Sequence, residues 1–301
     1  MTWYFLFFFF SGFCSVLYEL VWLRSAMAQF GVTTAMVSIV LSVFMAGLGA
    51  GSWLAGRWIG GNDNGNDLPA LRLYALVELM IGMSGILVSY ELLLGHRILE
   101  YSHLSSSFSF YCLAGLCVTV ALLPWCTLMG ATVPIAMQAI RQTIPESSQR
   151  SFSYLYTANV AGAVFGTSIP LFLIELLGFR GTLNFGAACN ALIAVAAFSL
   201  SSKKLKIVPA AALPEGELAF TSGGPRILAL LFLSGLSCMG MEVVWVRSYT
   251  PFYGTVVYTF ATILSVYLLA TLMGSTFYRR WSSHSNHRPA NLRHVIAYGS
   301  P

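Results

Sequence analysis

Apolar runs of about 20 residues recur along the whole of this chain, and that feature decides what it can fold into. Wound as a helix at 1.5 Å per residue, each run is long enough to cross a hydrocarbon layer roughly 30 Å thick. Charged residues make up 9% of the 301, against roughly 25% in an ordinary soluble domain. So little charge cannot keep this length of apolar helix in water, and the sequence predicts an all-α integral membrane protein.

Turn and charge punctuation divides the runs into eight helices, at 3–25, 33–56, 69–94, 108–140, 152–177, 181–200, 227–249 and 255–278. The fourth run carries Pro124 and Pro134 and is too long for one straight crossing, which predicts a kinked helix whose inner end leaves the bilayer. Sorting all 16 Lys and Arg by side puts 12 on one face of the membrane and 4 (Arg24, Arg97, Arg180, Arg247) on the other. By the positive-inside rule the N-terminus is then cytoplasmic. The start of the chain lacks the basic flank and small-residue cleavage site of a signal peptide, and reads as a retained first helix.

The net charge of +5 belongs to these loops and implies no nucleic-acid partner. The six cysteines all lie inside apolar runs without a CxxC pair, the pattern of small packing residues. His284, His287 and His294 have no carboxylate or thiol beside them in the sequence, so no metal site is expected, and no cofactor.

The chain repeats itself. FSGFCSVLYELVWLRS (10–25) and LSGLSCMGMEVVWVRS (233–248) align at an offset of 223, with Glu19/Glu242, Trp22/Trp245 and Arg24/Arg247 in register. The same offset carries on to Gly31/Gly254, Leu41/Leu264, Ser42/Ser265, Gly51/Gly274 and Arg57/Arg280. Two apolar helices alike by chance share Leu and Val, not Glu, Trp and Arg. Six helices precede the second copy, so both copies enter the membrane in one direction, as in transporters built from two parallel six-helix halves. The organisation expected is a six-helix repeat (1–200), a cytoplasmic linker (201–226), the first two helices of a second repeat (227–278), and a polar tail (279–301) running into a ninth helix. On this reading the chain is a truncated form of a longer, major facilitator-like architecture.

Four segments in order, SGFCSVLYELVWLR (11–24), GLGAGSWLAGR (47–57), LLPWCTLMGATVPIAMQ (122–138) and YTANVAGAVFGTSIPLFLIELLGFRGTL (156–183), resemble the membrane region of fused spermidine synthase-like proteins. That family is similar to the major facilitator superfamily in its membrane half and carries a soluble aminopropyltransferase-like domain after it. The resemblance implies a bacterial inner-membrane location, polyamine-like cations as candidate ligands and an aminopropyltransferase domain as candidate partner. The catalytic part is absent: nothing here alternates strand and helix, and Gly60, Gly61, Asn62 and Asp63 sit between two membrane helices rather than between a strand and a helix. The loop GSWLAGRWIG (51–60) partly resembles the major facilitator loop motif, with Gly56 where that motif has Asp.

A carboxylate inside a membrane helix costs a few kcal/mol and calls for a partner or a task. Glu19, Glu78 and Glu242 are the three candidates. Glu19 and Arg24 are five residues apart, about 140° around a helix, too far for a local pair. If the two copies face each other, Glu19 can reach Arg247 and Glu242 can reach Arg24, forming a reciprocal gate. A second task is binding a cationic amine, with Tyr18, Trp22 and Trp245 supplying aromatic faces. The other classes open to this sequence are a transporter of another small solute and a membrane anchor for a separate aminopropyltransferase. Gly47, Gly51 and Ala55, and Ala158, Gly162 and Gly166, recur every four residues and predict close helix contacts. Asn159, Asn184, Asn190 and Gln138 read as hydrogen-bonding residues between helices.

Overall fold

The structure is a computed structural model that describes residues 2–61, 70–102, 106–143, 148–202 and 224–284. Among them there is no strand; seven helices follow one another: α1 (Thr2–Phe30), α2 (Thr34–Gly61), α3 (Ala70–Tyr101), α4 (Ser107–Thr143), α5 (Ser148–Ser202), α6 (Gly224–Tyr253) and α7 (Val256–His284). Each holds a stretch long and apolar enough to cross a membrane.

The difference from eight predicted helices lies in α5. Its 55 residues would reach about 80 Å if straight. They do not: Gly178 has φ 70° and ψ −179°, a conformation that only glycine adopts without strain. Contacts with α1 show what this break does. Gly162 and Gly166 of the first arm lie against Phe9 and Phe13, so numbers rise together along the two helices. Past the break, Arg24 lies over Phe179 while Tyr18 meets Asn190, so the second arm runs back along α1. Residues 152–177 and 181–200 thus form the two arms of one bent element.

Several helices outlast their predicted ends. α3 continues to Tyr101 rather than 94, because polar side chains outside a bilayer do not stop a helix; His96 and Glu100, one turn apart, meet at 3.2 Å. α4 runs through both of its prolines as one helix, and its 37 residues, about 55 Å, exceed the hydrocarbon thickness. Most of the predicted linker (203–223) and of the tail (285–301), together with Asn62, Asp63 and the imidazoles at 284, 287 and 294, lies outside the described residues.

α1 is the central helix. It packs on both arms of α5 and touches α2, α3, α4 and α7, while α2 packs mainly on α4. Leu17, Tyr18, Leu20, Val21, Trp22 and Leu23 are all fully buried, which uses every face of the helix rather than one stripe. The small residues predicted to mediate contact do so. Gly51 meets the Thr127 backbone and Gly47 meets Cys126, bringing α2 onto α4, and Gly162 rests on the Phe9 carbonyl, bringing α5 onto α1. α7 buries a narrower stripe of Val257, Phe260, Ala261 and Leu264, spaced for one helix face. α6 is barely covered and packs on α7 and slightly on α2.

Candidate functional site: carboxylates among the spanning helices

Glu78 stands two turns into α3 with no solvent exposure. Its Oε2 accepts a 2.7 Å hydrogen bond from Asn190 Nδ2 on the returning arm of α5, and Asn190 Oδ1 accepts at 3.2 Å from the Tyr18 hydroxyl of α1. Ser11 and Tyr74 complete the polar surround, although Glu78 Oε1 and the Tyr74 hydroxyl make no well-formed bond. This chain of polar groups ties three helices together. Asn190 was legible as an interhelical amide; its carboxylate partner was not, since only the fold-back at Gly178 places it opposite α3.

Glu19 points elsewhere. It is 4% exposed, and its Oε1 has no hydrogen-bond partner. Glu242, its repeat equivalent on α6, is half-buried. α1 and α6 do not pack against each other. Among the described residues, none of Glu19, Glu78 and Glu242 has a basic nitrogen within 4 Å.

The arginines expected to pair with them are engaged differently. Arg24 sets its guanidinium over the Phe179 ring, 4.6 Å from the centroid, a cation–π contact. Arg247 is exposed and lines a cavity of about 290 Å³ with Val32, Thr33 and Val37 at the α1–α2 turn. Among the described residues neither reciprocal ion pair is formed. The aromatic residues divide as well. Trp22 is fully buried and stacked on Tyr18, with centroids 5.2 Å apart and planes 13° from parallel, and its Nε1 finds no acceptor. Trp245 is 43% exposed on α6.

Two polar contacts escaped the sequence reading. Trp125 Nε1 donates to Glu91 Oε2 at 3.1 Å, joining α4 to α3, and the Tyr258 hydroxyl donates to Glu175 Oε1 at 2.9 Å, joining α7 to α5. Glu91 and Glu175 lie near the ends of apolar runs, where a carboxylate reads as an ordinary helix terminus; no sequence signal points to their partners. Among the described residues no group of three His, Cys, Asp or Glu side chains is placed to hold a metal ion.

No family model, no curated protein and no solved structure matches the chain.

Proposed function

We propose that this chain is a membrane protein that binds a small cationic amine between Glu19 and Glu242, in the membrane half of a spermidine synthase-like architecture of major facilitator type. The observation that carries the reading is that Glu19 is 4% exposed with an unpartnered Oε1, and that neither it nor its repeat equivalent Glu242 has a basic nitrogen within 4 Å among the described residues. A carboxylate without a counter-charge is costly in a low-dielectric region, and a diamine or polyamine bridging the two relieves both charges. Glu78 differs in that its Oε2 accepts from Asn190, within a polar chain that joins three helices; its role is to hold them together. The resemblance of the four segments to spermidine synthase-like proteins independently suggests polyamine-like cations. With both arms of α5 crossing, the membrane is traversed eight times, and the charge asymmetry of the loops supports a cytoplasmic N-terminus in an inner membrane.

Equilibrium binding of labelled mono-, di- and triamines to the purified chain in nanodiscs tests the reading. Saturable binding that prefers diamines or longer, weakened at least about tenfold (~1.4 kcal/mol) in Glu19→Gln and in Glu242→Gln but retained in Trp125→Phe, is the expected result. A folded wild type that binds no amine, or binding untouched by both substitutions, would overturn it and leave a membrane anchor as the simpler role.

A further inference from the structure

The first arm of α5 and helix α7 are joined at two levels with a cavity of about 430 Å³ between them. At one level the Tyr258 hydroxyl donates to Glu175 at 2.9 Å; at the other, Thr167 and Ser265 meet at 2.8 Å. Eight residues of helix separate Thr167 from Glu175, so the levels are about 12 Å apart. The upper level lies at helix ends, where segments that span a bilayer meet its surface: Glu175 is within one turn of the Gly178 break and Tyr258 is two residues into α7. Arg24 stands over Phe179 just past that break. The flank opens sideways, not into the bundle: Phe172 is 66% and Val266 63% exposed. Glu175 has no basic nitrogen within 4 Å among the described residues.

An apolar groove open sideways, with an acid and a phenol at one end and an arginine on the neighbouring helix beside that end, fits a molecule carrying an ammonium, a phosphate and an alkyl chain. We propose that this groove holds an aminophospholipid, its primary ammonium on Glu175 and Tyr258, its phosphate toward Arg24, and an acyl chain along Phe172 and Val266, past the Thr167–Ser265 contact, to Leu269. Three N–H donors suit a carboxylate and a phenol oxygen, whereas a quaternary ammonium has none to give. The site is separate from Glu19 and Glu242 and does not rest on the amine reading.

The test is native mass spectrometry of the full chain released from vesicles containing equal phosphatidylethanolamine, phosphatidylcholine and phosphatidylglycerol. We expect retained phosphatidylethanolamine to be enriched about fivefold over either other lipid, the ratio that a net ~1 kcal/mol gives. Glu175→Gln should abolish the enrichment and Glu175→Asp keep most of it, both with wild-type helical content and melting. Equal retention of the three lipids, enrichment that persists in folded Glu175→Gln, or displacement of the lipid by free phosphoethanolamine would each overturn the proposal. The last outcome would make the groove a site for a soluble solute.

Discussion

The two copies of the repeated helix pair share a sequence pattern and a turn but not an environment. In both, a glycine leaves the helix with positive φ (Gly31 at 101°, Gly254 at 76°), its N–H bonded to a carbonyl four residues back at 2.9 Å (Met27 and Thr250). In both, a threonine then caps the next helix, Thr33 on the Met36 N–H and Thr255 on the Tyr258 N–H. Beyond the turn they diverge. Gly12 and Gly51 of the first copy touch the backbones of α5 and α4; their equivalents Gly235 and Gly274 have nothing within 4 Å. Trp22 is fully buried where Trp245 is 43% exposed. A local sequence thus fixes a local turn, whereas the same small residues become packing surfaces only where partner helices are present.

The sharpest way to break this comparison is to enlarge equivalent glycines. Gly51→Leu or Gly12→Leu forces a side chain into neighbouring backbone and should cost more than about 3 kcal/mol, seen as loss of folded protein in detergent, while Gly235→Leu and Gly274→Leu should stay within about 0.5 kcal/mol. Equal damage in both copies would mean that the second copy is packed as tightly as the first. Next in size is Asn190→Ala, which strips Glu78 and Tyr18 of their shared partner and should cost about 1–3 kcal/mol by thermal unfolding. A neutral result there would deny that the polar chain joins α1, α3 and α5. Gly31→Ala and Gly254→Ala probe what the copies have in common; each should lose about 1 kcal/mol, and the two losses should match. The smallest effect expected is that of Trp125→Phe, about 0.5–1.5 kcal/mol from one hydrogen bond to a carboxylate, with no counterpart in the second copy.

Much of this was legible in the sequence because lipid leaves the backbone few options. Helices must satisfy their own N–H and C=O groups, so apolar length alone located every spanning segment. The repeat was legible because Glu, Trp and Arg recur in register, and the α2–α4 contact because Gly47 and Gly51 stand one turn apart. What was not legible depends on where helices meet in space. The run from 148 to 202 shows Gly178 only as one glycine among several, and nothing in its composition says that the helix resumes at once beyond the bend. The reciprocal pairs expected from twofold reasoning are not formed among the described residues, where Arg24 lies over Phe179 and α1 does not pack on α6. Glu175 and Tyr258 are 83 residues apart, and only the approach of α7 to α5 joins them.

The amine reading turns on Glu19 having no arginine partner. Thermal unfolding of Glu19→Gln in amine-free nanodiscs tests it most directly. Since no basic group depends on this carboxyl, the variant should be at least as stable as wild type, and added diamine should stabilise wild type alone. A variant destabilised by about 3 kcal/mol or more, with folding recovered by Glu19→Arg combined with Arg247→Glu, would mean that Glu19 belongs to an ion pair, and would contradict the account.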